Sequence, residues 1–203
     1  MRLFVIARHG QSTLNVEERV NGDPSLEIAL TERGEEEARR LGLELAHIPI
    51  DRCVCTRFPR TRQTAELALA GRSLVPEVEP LLDDVRVGEL EGGTLAEYRA
   101  WKQGRARDEP FPGGESLNDA ARRYAGALER LLGGGGTTVL VICHEIPLRY
   151  TVNAAAGSDV LDRPARSMAN ATPYLFSEDA LARAAARIVE LVGARPAVLD
   201  QRA

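Results

Sequence analysis

Two short apolar runs stand out in the pattern of hydrophobic and polar positions along the chain. They are RLFVIA at 2–7 and TTVLVIC at 137–143, and polar residues follow both. Uninterrupted apolar runs of this length are typical of strands that are buried on both faces of a sheet. The segment DRCVCT at 51–56 predicts a third strand, in which Cys53 and Cys55 share one face because alternate strand residues point the same way.

Weaker signals predict further strands at three places. The segment LVPEVEPL at 74–81 is extended but carries two prolines, which restrict it to a short strand. The segments TPYLF at 172–176 and ARIVELV at 186–192 predict two late strands. Between them, EDALARA at 178–184 is interpreted as a turn or a short helix.

Helical signals alternate with these strands. Thr31 is expected to cap a helix with an acidic first turn, and Ser116 a longer amphipathic helix. Strand–helix alternation predicts an α/β fold, a three-layer α/β/α sandwich with a mostly parallel central sheet. The predicted helices cover 32–46, 60–71, 95–104, 116–132 and about ten residues after Pro147.

Both strong strands end in a histidine with a charged neighbour. The first strand is followed by Arg8-His9-Gly10 and the later one by Cys143-His144-Glu145. Open α/β sheets bind ligands at the carboxyl ends of their strands. The two histidines are therefore expected at the edge of the sheet where a ligand binds.

Composition and charge exclude several classes of protein. The net charge of −4 argues against general binding to nucleic acids or to anionic membranes. Lys102 is the only lysine, so Schiff-base chemistry has almost no candidate. The three cysteines lack metal-ligand spacing and favour a reducing cytoplasm. The first apolar run is too short for a signal peptide, and no segment resembles a membrane span.

A neutral imidazole can act as a nucleophile toward phosphorus when fixed positive charge surrounds it. Arg8 lies beside His9, and Arg57, Arg60 and Arg62 lie at a predicted helix N-terminus after the second strand. Of these, Arg62 is interpreted as a solvated residue, as is His47. A leaving alkoxide also needs a proton donor, for which the Asp83–Asp84 pair and Glu145 are candidates.

The segment RHGQSTLN at 8–15 resembles the signature of the histidine phosphatase superfamily, the phosphoglycerate mutase-like enzymes, in its first branch. The family pattern is Arg-His-Gly-(Glu/Gln)-(Ser/Thr)-x-x-Asn. Further blocks resemble the family in the same order, so the resemblance runs from Arg2 to about Tyr174. These blocks are LTERGEEEA, CTRFPRTRQTA, LLDDVRVGELEG, PGGES and VLVICHEIPLR.

The resemblance implies a phosphoglycerate mutase-like fold and a site that needs neither metal nor organic cofactor. The chain, 1–203, would be one domain in which residues 83–115 form a small irregular and helical cap over the site. His9 would become a phosphohistidine, with Asp84 as proton donor. The clamp on the phosphoryl group would be Arg8, Arg60 and His144, and the substrate-binding residues would be Gln11, Ser12, Asn15 and Glu145.

Three departures from the family pattern shape the functional hypothesis. Asp84 stands where glutamate is common, which leaves Glu145 as a rival donor, although the surrounding framework favours Asp84. Val87 replaces the tyrosine of true mutases, and the segment that follows lacks their long insertion. The link at 20–32 lacks the usual aromatic residue and, with 101–114, is expected to determine substrate choice.

We therefore predict a cytoplasmic phosphomonoesterase acting on a small phosphorylated metabolite. The alternatives are a cofactor-dependent phosphoglycerate mutase and a phosphate-binding homologue with little turnover. A protein whose strand-end histidines are only structural is a further, remote alternative. The oligomeric state is not predicted.

Overall fold

The computed structural model describes residues 2–193, and its centre is a five-stranded sheet in the order β3-β2-β4-β1-β5. Four strands are parallel, and only β5 runs antiparallel, along β1. The mostly parallel sheet that we predicted is confirmed. The strands are β1 (Leu3–Arg8), β2 (Arg52–Cys55), β3 (Glu77–Val78), β4 (Thr138–Cys143) and β5 (Pro173–Ser177).

Among residues 2–193, six helices connect the strands, together with two 3-10 turns at Pro80–Leu82 and Gly88–Leu90, and a seventh helix follows the last strand. Thr31 and Ser116 cap their helices as predicted, each accepting a backbone N–H with its side-chain hydroxyl. No helix among residues 2–193 is long and apolar enough to cross a membrane. The helices are α1 (Thr13–Val16), α2 (Glu32–Glu44), α3 (Pro59–Ala68), α4 (Leu95–Lys102), α5 (Leu117–Gly133), α6 (Glu145–Ala155) and α7 (Glu178–Gly193).

The alternation of side chains along each strand divides the interior into two cores. On β1, Phe4 and Ile6 join the core formed with α5, α6 and α7. Val5 and Ala7 join the opposite core, formed with α2 and α3. Helices thus cover both faces of the sheet, which confirms the three-layer α/β/α arrangement.

One prediction of secondary structure was wrong, because the segment 186–192 is not a strand. The segment 178–184, interpreted as a turn or a short helix, is helical, and both segments belong to the continuous helix α7. Its buried residues recur at helical spacing, whereas Val189 is exposed, so β-branched composition misled the interpretation. Those buried residues are Leu181, Ala184, Ala185, Ile188 and Val192.

The bounds of β3 and α6 also differ from the predicted ones. Only Glu77–Val78 of the segment 74–81 pairs in the sheet, since proline cannot donate to the ladder. Helix α6 begins at Glu145 and includes Pro147 in its first turn, where the missing N–H has no helical partner to lose.

The segment 83–115 contains the second 3-10 turn and α4, joined by loops. Val85, Val87 and Phe111 anchor it in the core on the α5 side of the sheet. A Cβ at position 22 would lie 2.0 Å from the Val85 carbonyl oxygen, so glycine lets the loop after α1 pass close to this segment. The function of 83–115 as a cap stays a prediction.

Candidate active site

The sheet places the two strand-end histidines side by side. Arg8 is opposite Cys143 in the parallel register of β1 and β4, and the backbone N–H of His9 donates to the Cys143 carbonyl at 3.0 Å. His9 and His144 therefore leave the sheet together, with ring centroids 5.4 Å apart. Both are buried, at 2% and 0% exposure.

The hydrogen bonds of His9 determine where its proton lies. Its Nδ1 lies 2.7 Å from the Gly10 carbonyl oxygen, which only accepts, so Nδ1 carries the proton. Its Nε2 then accepts from Nε of Arg60 at 3.0 Å. A Cβ at position 10 would lie 2.3 Å from the Gly34 carbonyl oxygen, so Gly10 permits the close approach of α2. The lone pair of the His9 ring is thereby held on Nε2.

His144 has the opposite arrangement. Its Nδ1 lies 3.2 Å from Nη2 of Arg60, a donor, so Nδ1 is the unprotonated nitrogen. Its Nε2 donates to Oγ1 of Thr56 at 3.0 Å. The Thr56 hydroxyl bonds to Thr61 at 2.9 Å, and Thr61 donates to the Phe58 carbonyl at 2.8 Å. Because the Phe58 carbonyl can only accept, the Thr61 hydroxyl donates to it and the Thr56 hydroxyl donates to Thr61.

Arg60 joins the two imidazoles. It lies in the first turn of α3, after Pro59, and its side chain is only 4% exposed. Its Nη1 donates to Oδ1 of Asn21, and its Nη2 to the Asn21 carbonyl at 3.3 Å. The Phe58 ring packs against the guanidinium at 4.4 Å. A guanidinium bound on several sides presents its charge in one fixed orientation.

Asn21 is a residue that the sequence interpretation missed as part of the site. Its Nδ2 donates to Oε1 of Glu91 at 2.8 Å, and Oε2 of Glu91 accepts the Gly22 backbone N–H at 2.7 Å. Glu91 is the next-to-last residue of the block LLDDVRVGELEG that we matched to the family, so a signal for Glu91 was present. Asn21 lies in the divergent link 20–32, where no pattern marked it.

The two neighbouring aspartates are separated by their contacts. Asp83 turns to Arg57 and accepts from its backbone N–H at 3.0 Å and its Nε at 2.6 Å. Asp84 instead places Oδ2 3.6 Å from Nη2 of Arg60 and 3.6 Å from Nδ1 of His144. Of this pair, the structure brings Asp84 to the histidines.

Glu145 binds guanidinium groups. Its Oε2 lies 2.9 Å from Nη1 of Arg8, and its Oε1 lies 3.3 Å from Nη1 of Arg149. Arg8 also donates through Nη1 to the Met168 carbonyl at 2.9 Å. Its Nε is buried without an acceptor among the described residues, although buried donors are nearly always satisfied.

The polar groups of the segment after Gly10 bind the chain itself. Oδ1 of Asn15 accepts the Ser12 backbone N–H at 3.0 Å, and Oε1 of Gln11 accepts from the Thr31 hydroxyl at 2.9 Å. Ser12 is buried at 1% exposure. The binding of substrate by Gln11, Ser12 and Asn15 stays a prediction. Arg62 and His47 are exposed, as expected.

Burial and charge shift the proton affinities in this cluster. Burial, with the Arg60 charge, lowers the pKa of His9 and of His144 well below the ordinary value, so both imidazoles are neutral. Burial lowers the pKa of Arg60 to about 10, which leaves it cationic at neutral pH. Burial raises the pKa of Asp84 although Arg60 opposes the shift, which favours a carboxyl able to donate a proton.

The three cysteines are buried thiols. Burial raises the pKa of Cys53 and of Cys143 to about 12 and that of Cys55 to about 11. The interpretation of Cys53 and Cys55 as small buried side chains is confirmed, because both lie in the core beside α2 and α3. Across residues 2–193, no group of three or more histidine, cysteine, aspartate or glutamate side chains is placed to hold a metal ion.

Comparison with known proteins assigns the family. The model of the histidine phosphatase superfamily (branch 1) matches residues 4–187. The chain belongs to this superfamily. A 2,3-bisphosphoglycerate-dependent phosphoglycerate mutase of Methylobacterium sp. strain 4-46 is 32% identical over 196 residues, which cover 86% of this chain and 90% of the mutase.

Relatives named as phosphatases match as well. An adenosylcobalamin/alpha-ribazole phosphatase of Salmonella typhimurium is 36% identical over 91 residues, 45% of this chain and 44% of the enzyme. A mycobacterial glucosyl-3-phosphoglycerate phosphatase, solved in complex with VO3, superposes with a TM-score of 0.74. That alignment has 25% identity and covers 87% of this chain and 93% of the other. The histidine phosphatase fold is therefore shared, and the relatives include both phosphatases and mutases.

Proposed function

We propose that this histidine phosphatase superfamily member is a phosphomonoesterase that works through a phosphohistidine on His9 and needs no metal. One observation carries the proposal. Arg60 lies between two neutral imidazoles, with Nε 3.0 Å from Nε2 of His9, while the Asp84 carboxyl lies 3.6 Å from Arg60 and from His144. Nucleophile, fixed positive charge and proton donor are thus adjacent.

In the first step, Nε2 of His9 attacks phosphorus and the ester P–O bond breaks. Arg60 exchanges its bond to Nε2 for bonds to the phosphoryl oxygens, where its charge stabilises the transition state. The proton of Asp84 passes to the leaving oxygen, which departs as an alcohol. The Gly10 carbonyl, 2.7 Å from Nδ1, stabilises the positive imidazole ring that forms.

In the second step, water attacks the phosphohistidine. The Asp84 carboxylate accepts a proton from this water, the Nε2–P bond breaks, and inorganic phosphate leaves. His9 returns to its neutral form with the proton on Nδ1. Each group therefore ends the cycle in the state in which it began.

Arg8 and His144 complete the clamp in this proposal. The unsatisfied Nε of Arg8 is available to a phosphoryl oxygen. A bound phosphoryl dianion offsets the effect of burial on His144 and favours uptake of a proton from solvent by its Nδ1, which then donates to the anion and releases this proton when phosphate leaves. Thr56 holds the ring in place through Nε2 during this change.

Hydrolysis is favoured over the mutase reaction by the segment after Asp84. A mutase must retain a bisphosphate, and its family members use a tyrosine at the position of Val87. Here the side chain of Val87 has no polar group, and it is 4% exposed and packs in the core. A phosphate-binding homologue without turnover is disfavoured because the Asp84 carboxyl lies 3.6 Å from Arg60 and from His144, where burial raises its pKa and suits it to donate a proton.

The test is hydrolysis of p-nitrophenyl phosphate in the presence of a chelator, with His9→Ala beside the wild type. We expect chelator-resistant release of phosphate that falls by about 10⁴-fold or more in His9→Ala, because the covalent route is lost. Circular dichroism confirms that the variant folds. An active, folded His9→Ala protein contradicts the proposal.

A second arm offers 3-phosphoglycerate with 2,3-bisphosphoglycerate. Isomerisation faster than phosphate release would replace the phosphatase proposal by the mutase. No turnover in either arm by a folded protein that binds phosphate would favour the binding homologue. The cytoplasmic location, the absence of nucleic-acid and membrane partners, and the cap formed by 83–115 stay predictions from the sequence.

A further inference from the structure

One arginine of α5 binds the backbone of the segment that carries Asp84. Nη1 of Arg123 donates to the carbonyl oxygens of Leu81 and Asp83, at 2.9 and 2.8 Å. Its Nη2 donates to the carbonyl oxygen of Asp84 at 3.1 Å. Among residues 2–193, no backbone N–H donates to the carbonyls of Asp83 and Asp84. Arg123 therefore supplies hydrogen bonds that the backbone itself leaves unmade.

Glu115 binds the same segment on the other side of Asp84. Its Oε1 accepts the backbone N–H of Arg86 at 3.0 Å. Its own backbone N–H donates to the Arg86 carbonyl at 2.9 Å. The segment 81–86 is thus bound before Asp84, at Asp84 and after it.

Arg123 and Glu115 also bind each other. Nη2 of Arg123 lies 2.6 Å from Oε1 of Glu115, and Nε lies 3.4 Å from Oε2. The two side chains are 16% and 3% exposed. A buried ion pair is often no more stable than apolar residues of the same volume. What this pair adds is orientation, because a planar guanidinium directs its donors along fixed lines toward the carbonyls of the segment.

The position of this backbone determines where the proposed proton donor lies. The side chain of aspartate is short, so a displacement of the backbone moves the Asp84 carboxyl by a similar distance. Oδ2 of Asp84 lies 3.6 Å from Nδ1 of His144 and from Nη2 of Arg60. A general acid must come within about 2.6–3.2 Å of the atom that it protonates, and a misplacement of about 1 Å can cost about 10²-fold in rate.

We propose that Arg123 and Glu115 are positioning residues for Asp84, which hold the backbone of 81–86 so that the carboxyl reaches the leaving oxygen. The inference rests on the proposed phosphatase function and on Asp84 as its proton donor. It assigns to this buried ion pair a role in the protonation of the leaving group, and none in the attack by His9. Its loss therefore impairs the substrates that need a proton on the leaving group.

Arg123→Lys tests this role without removing a charge. The lysine keeps the positive charge that, with Arg60, lowers the pKa of His144. Its single ammonium group lacks the two terminal nitrogens by which Arg123 binds three carbonyls and Glu115. We expect kcat for glycerol 3-phosphate, an alkyl phosphate, to fall about 10- to 30-fold. The loss on p-nitrophenyl phosphate, whose leaving group departs without a proton, should stay below about threefold.

The double variant Asp84→Asn/Arg123→Lys separates positioning from a general loss of structure. If Arg123 acts through Asp84, Arg123→Lys should lower the rate on glycerol 3-phosphate by less than about twofold once the donor is gone. A purely structural effect would instead multiply the rate by the same factor in both backgrounds. Circular dichroism and thermal unfolding confirm that each protein is folded at the temperature of the assay.

Glu115→Gln is a second variant that is closer in shape to the wild type. It keeps an acceptor for the Arg86 N–H and removes the charge opposite Arg123. We expect a loss of about three- to fivefold on glycerol 3-phosphate and less than about twofold on p-nitrophenyl phosphate, since a hydrogen bond to a neutral acceptor is weaker than one to a charged acceptor.

Arg72→Lys is the matched control. The Arg72 guanidinium also binds three carbonyls of one loop, those of Leu45, Ala46 and Ile48. Arg72 follows the end of α3, whereas Arg60 lies in the first turn of that helix. The ratio of the rates on the two substrates should equal that of the wild type.

The outcomes separate the inference from the proposed function. Equal losses on both substrates in Arg123→Lys, beside a selective loss in Asp84→Asn, would overturn the positioning role and leave the proposed function intact. A selective loss in Arg123→Lys that persists in the double variant would overturn it as well. Hydrolysis that does not depend on His9, or Asp84→Asn without a selective loss, would contradict the proposed mechanism and the inference together.

Discussion

The carboxyl ends of β1 and β4 are neighbours in the sheet, and each is followed by a buried histidine, yet the two imidazoles carry their protons on different nitrogens. His9 is protonated on Nδ1 because it faces the Gly10 carbonyl, whereas His144 is protonated on Nε2 because it faces Thr56. Arg60 contacts the unprotonated nitrogen of each ring. Equivalent places in the topology therefore hold rings of opposite tautomer.

This difference shows that contacts outside the strands determine the tautomer of each histidine. The Gly10 carbonyl belongs to the turn after β1, and Thr56 belongs to the turn after β2. The two candidate acids also differ in their contacts. Glu145 follows His144 directly but binds two arginines, whereas Asp84 comes from a distant segment and lies 3.6 Å from Nδ1 of His144 and from Nη2 of Arg60.

The largest effect that tests this comparison comes from the two acids. We expect Asp84→Asn to lower kcat for an alkyl phosphate by about 10²–10³-fold, because the general acid is lost. The loss on p-nitrophenyl phosphate should be much smaller, since that leaving group departs without a proton. Steady-state kinetics with both substrates measure the difference.

Glu145→Gln is the paired variant. It keeps the size of the side chain and removes the charge that Arg8 and Arg149 share, so we expect less than about a tenfold change, of equal size on both substrates. If instead Glu145→Gln caused the loss that is selective for the alkyl phosphate, Glu145 would be the donor and the assignment of Asp84 would be wrong.

The pH dependence tests the lowered pKa of His9 against the raised pKa of Asp84. His9 must be neutral to attack, and its pKa lies well below 6.5, so kcat/KM should persist at pH 5.5, where an ordinary imidazole would be about nine-tenths protonated. Asp84 must be protonated, so the rate on an alkyl phosphate should fall as pH rises through its raised pKa, by about tenfold per unit.

Rate profiles from pH 4.5 to 8.5 for the wild type and Asp84→Asn separate the effect of His9 at low pH from the effect of Asp84 at higher pH. The ionisation of the substrate is common to both proteins, so only the fall in rate that is due to Asp84 should disappear in the variant. A fall in rate on the acidic side with a midpoint at pH 6.5, beyond the loss that protonation of the substrate causes, would show that His9 titrates as an exposed imidazole, contrary to its burial.

The smallest expected effect concerns the hydroxyl that holds His144. Thr56→Val leaves Nε2–H of His144 without its acceptor, and we expect kcat to fall about 5- to 10-fold, the value of one buried hydrogen bond. Thr56→Ser keeps the hydroxyl and should restore most of the rate. Thr151→Val is the control, because Thr151 is also buried and donates to the Pro147 carbonyl at 2.8 Å.

The stability of the same variants is measured by thermal unfolding. Thr56→Val and Thr151→Val should both lower stability by about 1–3 kcal/mol, since each disturbs a buried hydrogen bond. Only Thr56→Val should lower kcat. Equal effects on kcat would mean that the loss follows stability and that Thr56 does not position His144.

Local sequence determined most of the sheet and of the helix ends. The uninterrupted apolar runs marked β1 and β4, because a strand buried on both faces needs apolar side chains at every position. Thr31 and Ser116 marked the starts of α2 and α5 because a hydroxyl before a helix satisfies a free N–H. The short segment 186–192 is compatible with the period of a strand and with that of a helix. Its composition indicated a strand, but in the structure it belongs to helix α7.

The sequence by itself also determined which residue types the site would contain, since the blocks around His9, Arg60 and His144 are local patterns. Only the tertiary structure decided which of two adjacent aspartates enters the site. Asp83 turns to Arg57 while Asp84 meets His144, and Asn21 binds Arg60 from a loop of unmarked sequence. A hydrogen bond depends on atoms brought together from distant segments, so tautomers and proton donors are properties of the packed molecule.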